Sequence, residues 1–92
     1  MKRREFEKRV KDENLKMEDY DIALDHYYDG HPHYMGCVRK DRKWVTYATD
    51  FRDGHAYIID SYATEDEAFS DFYLLIKSQI KAETLYGPPK RD

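Results

Sequence analysis

Between Ala23 and Gly36 the chain reads ALDHYYDGHPHYMG, with three histidines, two aspartates, three tyrosines and a proline in fourteen positions. These residue types allow several chemistries. His26, His31 and His33, with Asp25 and Asp29, could ligate a metal, because zinc takes imidazole and carboxylate and its catalytic sites use three protein ligands plus water. The spacing matches no metal motif, however. His31-Pro32-His33 is a loop in which no helix fixes ligand geometry, and histidines in a polar loop are often simply solvated. Asp25 with His26, or Asp53 with His55, could exchange protons, yet neighbours on a strand point to opposite faces. Cys37 beside a histidine could be a nucleophile, or a small buried hydrophobe in a strand. Four glycines in all leave little room for a phosphate-cradling loop. This reading predicts no enzyme, no cofactor and no bound metal. A small metal-binding protein or enzyme using the His26/His31/His33 loop is the alternative.

A protein contact suits the same stretch better. Tyr20, Tyr27, Tyr28 and Tyr34 are interleaved with Asp19, Asp21, Asp25 and Asp29, and no Lys or Arg falls between Asp19 and Gly36. Tyrosine anchors interfaces because it supplies contact area at low entropic cost. Aspartates without local basic partners form a negative patch that steers in a basic partner. Some of these tyrosines must instead fill a small core. The expected contact residues are Asp25, Tyr27, Tyr28, Asp29 and Tyr34, supported by Asp50 and Asp53 in a later hairpin. On this reading, replacing Tyr28 with Ala and Asp29 with Lys weakens the complex and leaves folding intact.

The bulk properties frame these candidates. Ninety-two residues imply a single domain, residues 1–92. A chain this short buries only about 60–65% of its unfolded surface. Charged residues make up 38%, and the mean hydropathy of -1.01 is low enough to raise disorder. Nine tyrosines, four phenylalanines and a tryptophan argue for a folded domain instead. A net charge of -3 disfavours nucleic acid as a partner. The basic run Arg39, Lys40, Arg42, Lys43 reads as a solvated hairpin tip that discourages edge pairing. One cysteine excludes an intramolecular disulfide. The basic N-terminus lacks an apolar run behind it, and no stretch approaches the ~20 apolar residues of a membrane span. A cytoplasmic protein is therefore expected.

Local patterns predict the elements. Phe6 and Val10 share a face of a helix over 3–13, followed by Leu15. Tyr20, Ile22 and Leu24 alternate as in a short strand. Tyr28 to Pro32 is a turn signal. Three antiparallel strands follow, about 33–39, 43–51 and 55–62, the last two joined at Asp53-Gly54. Thr64-Glu65-Asp66-Glu67 is a capping box opening a helix over 65–82, with Ala68, Phe72, Leu75, Ile76 and Ile80 on its apolar face. Residues 86–92 are expected to fray. The predicted fold is α+β: a three- to four-stranded antiparallel meander, an N-terminal helix, and a long C-terminal helix packed on the sheet. Val45, Tyr47 and Thr49 point one way and Trp44, Thr46 and Ala48 the other, so the face taken by the long helix stays open.

The stretch KWVTYATDFRDGHAYIIDSYATEDEAFSDFYLLI resembles small bacterial immunity proteins of polymorphic toxin systems, above all the family called immunity protein fifty-nine. The shared features are the strand with Trp44, Val45 and Tyr47, the turn with Arg52 and Gly54, and the helix start Thr64-Glu65-Asp66-Glu67-Ala68. NLKMEDYDIAL resembles that family's short segment after its first helix. Here the Trp-to-Tyr spacing is one residue longer, the turn reads DFRDGH rather than that family's compact Glu-Arg-Gly, and the histidine-rich loop is this sequence's own. The resemblance implies an immunity protein that binds the C-terminal domain of a cognate toxin in the cytoplasm. The complex would be 1:1, and inhibition would come from occlusion of the toxin's active site. Many such toxins are nucleases with basic clefts, which an acidic patch suits. A phage or host regulatory module that binds another protein is a further alternative.

Overall fold

The computed structural model describes residues 1–86. Six elements follow in order: α1 (Arg3–Asp12), β1 (Asp21–Ala23), β2 (Tyr34–Lys40), β3 (Lys43–Thr49), β4 (Ala56–Tyr62) and α2 (Glu65–Tyr86). The predicted α+β class holds. The strands form one sheet in the order β1-β2-β3-β4. The expected frayed tail at 86–92 lies outside the described residues except for Tyr86, which closes α2.

The sheet is mixed rather than a pure meander. β2–β3 and β3–β4 are antiparallel, but β1 runs parallel to β2, with Asp21 opposite Tyr34 and Ala23 opposite Gly36. Parallel neighbours need a crossover rather than a hairpin. Residues 24–33 supply it without forming a helix, crossing one face of the sheet to reach the start of β2. β3 ends at Thr49, two residues earlier than expected, because residues 50–55 form a turn. Its backbone closes with Asp50 N–H donating to the His55 carbonyl at 2.9 Å.

Both helices cover the face that carries Met35, Cys37, Trp44 and Ala48. Phe6 from α1 and Ala68, Phe69, Phe72 and Ile76 from α2 complete that core. Phe6 stacks on Phe72 at 5.2 Å and tilts against Phe69 at 5.3 Å between centroids, and Trp44 meets Phe69 edge-on. The helices start together. The Met1 ammonium pairs with Asp66, and Glu65 accepts the Arg3 N–H at 3.0 Å, occupying one of the donors a helix start leaves open. Asn14, at φ 51, ends α1 in the left-handed conformation that asparagine tolerates. Of the predicted capping box the N-cap bond forms at α2: Thr64 Oγ1 accepts the Glu67 N–H, and the Glu67 carboxylate reaches back to accept the Thr64 hydroxyl.

The segment between α1 and β1 is anchored by a carboxylate near the end of α2. Glu83 is 8% exposed and accepts N–H bonds from Glu18 (2.8 Å), Asp19 (3.1 Å) and the Gln79 amide (2.9 Å). Burial pushes its pKa up, but these donors outweigh burial and hold it below the usual glutamate value.

Cys37 is free, fully buried among apolar side chains, and burial pushes its thiol up to about 12. It is a core hydrophobe, not an activated nucleophile.

Candidate functional site

The opposite face of the sheet is aromatic, and the 24–33 crossover covers part of it. Its buried floor is Ala23, Val38, Val45 and Tyr47, against which Tyr27, Tyr28, Tyr34 and Ala56 pack half-buried. Tyr47 is the pivot. Its hydroxyl donates to the His26 carbonyl at 2.8 Å and accepts the Tyr28 N–H at 3.0 Å. One buried phenol thus satisfies two polar groups of a loop that has no helix or strand of its own. Burial pushes the Tyr47 pKa up, partly offset by the Tyr28 N–H.

Around this pivot the tyrosines stack. Tyr28 lies face to face with Tyr34 at 4.1 Å and an interplanar angle of 11°, and Tyr27 tilts against Tyr47 at 4.6 Å. Lys40 lies 4.9 Å above the Tyr27 ring, a cation–π contact that brings a base into the expected acidic patch.

The crossover and the 50–55 turn interlock. Gly30 N–H donates to the Gly54 carbonyl at 2.8 Å, and Asp29 accepts the Ala56 N–H at 3.0 Å. Gly54 has φ +75, and a Cβ there would lie 2.5 Å from the His31 nitrogen and 2.6 Å from the Gly30 carbonyl carbon. Within the turn, Asp50 accepts the Arg52 N–H and Asp53 accepts the His55 N–H, each bridging two residues as an Asx turn.

The structure therefore brings Tyr27, Tyr28, Asp29 and Tyr34 together with the turn that holds Asp50 and Asp53. Asp25 turns elsewhere. It is exposed and pairs with Arg3 of α1 at 2.7 Å, which holds its carboxyl below the usual range. The aspartates are thus less idle than expected: Asp29, Asp50 and Asp53 each bond a backbone N–H while staying exposed. The Tyr28→Ala, Asp29→Lys pair is correspondingly not silent for folding, because it removes a stacked ring and the acceptor of the Ala56 N–H.

The histidines diverge. His26 and His31 both meet the Tyr28 ring edge-on, whereas His33 tilts against Phe51 and bonds the Asp19 carbonyl at 3.2 Å. Among the described residues no three His, Cys, Asp or Glu side chains come together to hold an ion.

Sequence reasoning missed the Tyr47 hydroxyl and the docking role of Gly54. Tyr47 shows only as an alternating strand residue, and Asp53-Gly54 only as a turn signal. Neither reveals a partner some twenty residues away.

Compared with protein-family models, curated proteins and solved structures, the chain matches none. Among the described residues no helix is long and apolar enough to cross a membrane.

Proposed function

We propose that this chain is a cytoplasmic immunity protein that binds and neutralises a cognate toxin domain by covering its active site, without chemistry of its own. The observation behind this reading is the interlock of the tyrosine-covered crossover with the 50–55 turn. It presents Asp29, Asp50 and Asp53, exposed and held by their own backbone bonds, beside the Tyr28–Tyr34 stack. Carboxylates already fixed in place lose little freedom on binding, and a ring stack offers rigid contact area. The complementary partner is a basic cleft such as that of a nuclease.

The test is growth. The C-terminal domain encoded immediately upstream is expressed with and without this protein. Toxicity of the domain alone and rescue by co-expression support the reading. Killing that persists despite well-expressed protein overturns it.

A further inference from the structure

All four histidines of the chain, His26, His31, His33 and His55, lie in the crossover and in the turn interlocked with it. We infer that they make the contact surface sensitive to acid: it holds a basic partner at neutral pH and releases it in mild acid, as the imidazoles gain charge. This regulation rests on the toxin-binding reading given above.

The histidines surround the groups of that contact. His26 and His31 are exposed and meet the Tyr28 ring edge-on, at 4.7 and 5.7 Å between centroids. His26 follows Asp25, whose carboxylate is taken by Arg3 of α1. The His31 backbone lies against Gly54, two residues on from Asp29. His55 is exposed in the turn, where its N–H is accepted by Asp53 and its carbonyl accepts the Asp50 N–H. His33 is half-buried against Phe51 and the Asp19 carbonyl, so the argument does not need it. The other ionisable groups of this face are the phenols of Tyr27, Tyr28, Tyr34 and Tyr47, a class that ionises only in strong base.

At neutral pH carboxylates lead on this face. Asp21 beside Tyr34, Asp25, Asp29, Asp50 and Asp53 make five. The cations among them are three: Arg3 on Asp25, Arg52 in the turn and Lys40 over Tyr27. At the far end of the face Lys43 stands with Asp41 and offsets it. Asp60, opposite Thr46, and Asp71, bonded by Tyr62, belong to the helix-covered face. The contact face is thus acidic by two charges. Charging His26, His31 and His55 exceeds that deficit and turns the face basic.

Histidine is the side chain whose charge ordinarily changes between pH 5 and 8, whereas carboxylates ordinarily keep theirs down to about pH 4. Two of the new charges flank Tyr28, an expected anchor of the contact, where a basic cleft meets like charge. Binding such a partner therefore expels protons from these imidazoles. By linkage, affinity falls as pH falls.

Titration calorimetry of the full chain with the toxin domain encoded upstream, between pH 7.5 and 5.5, tests this. The dissociation constant is expected to rise at least about fivefold at pH 5.5 in about 50 mM salt, and less in about 500 mM salt, where charges are screened. The triple variant His26→Gln, His31→Gln, His55→Gln is expected to bind at pH 7.5 as the parent does and to lose most of the pH dependence. His55→Gln alone, at a residue that joins the turn through its backbone, is expected to lose part of it. Circular dichroism and melting identical to the parent's qualify each variant. Binding equal at both pH values overturns the inference and leaves the toxin-binding reading standing. A pH dependence undiminished in folded variants assigns it to the toxin and overturns the inference as well. No binding at any pH removes the toxin-binding reading, and this regulation with it.

Discussion

The ring of Tyr47 lies directly over Gly36, the residue opposite it in the β2–β3 ladder. A Cβ on Gly36 would collide with the edge of that ring and come within 2.6 Å of the Ala23 carbonyl oxygen. The absent side chain thus lets the phenol lie flat on the sheet and reach the crossover with its hydroxyl.

Gly36→Ala is therefore expected to destabilise the fold by roughly 1–3 kcal/mol, the usual cost of overpacking. Neither the ring nor the Ala23 backbone can move without disturbing the parallel β1–β2 pairing. Urea unfolding followed by circular dichroism measures this, and a midpoint equal to the parent's would contradict the close approach.

Tyr47→Phe keeps the ring and removes only the hydroxyl. The His26 carbonyl and Tyr28 N–H then lose their shared partner, at an expected cost of about 1–3 kcal/mol. The loss is local, so hydrogen exchange should speed up at residues 26–31 while the α2 amides stay protected. Uniform acceleration across the chain would show that the crossover is not an independent unit.

Gly54→Ala attacks the same loop from its other end. The left-handed conformation penalises any Cβ by about 1–2 kcal/mol, and the backbone of Gly30 and His31 leaves no room for one. A fall in Tm of at least about 4 °C is expected for a domain of this size. If the proposed contact surface is right, affinity for the toxin domain falls as well, because Asp29 loses its register with the turn.

Charge and fold can be separated at Asp29. Asp29→Asn keeps an oxygen acceptor for the Ala56 N–H and removes the negative charge. Stability is expected to stay within about 0.5 kcal/mol of the parent, while association with a basic partner slows, most clearly at low salt. Stopped-flow association at two salt concentrations checks it. An unchanged rate would remove Asp29 from the steering patch.

Acid is expected to loosen the contact between α2 and the segment before β1. Glu83 has a lowered pKa in the folded chain, so its contribution is full above the ordinary glutamate value of about 4.3. It is lost as pH falls through the folded value. Glu83→Ala strands the N–H groups of Glu18 and Asp19, and is expected to cost about 1–3 kcal/mol at neutral pH. The gap between parent and variant should narrow on acidification below about pH 4. A pH-independent gap would mean that lost packing, not the carboxylate, accounts for the difference.

The sequence by itself determined most of the elements, because the signals for them are local. The Thr64–Glu67 box, the Phe6 and Val10 spacing and the aromatic, β-branched strands each act within a few residues. α2 ran on to Tyr86, past the predicted end at 82, because no helix breaker stands before Gly87. The tyrosines and aspartates of the candidate surface were also legible, since their types and charge need no partner to be seen.

Tertiary structure alone decided the rest. That β1 pairs parallel follows from a crossover pinned by Tyr47, whose bonds reach 19 and 21 residues along the chain. That both helices take the Trp44 and Ala48 face follows from Phe6, Phe69 and Phe72 filling one core, while the crossover claims the face with Val45 and Tyr47. That Asp25 points to α1 while Asp29 joins the 50–55 turn depends on Arg3 and the Ala56 N–H, both distant in sequence. Strand alternation says which residues share a face. Only the packing of distant segments says what will cover that face, because the free energy of covering it belongs to both partners at once.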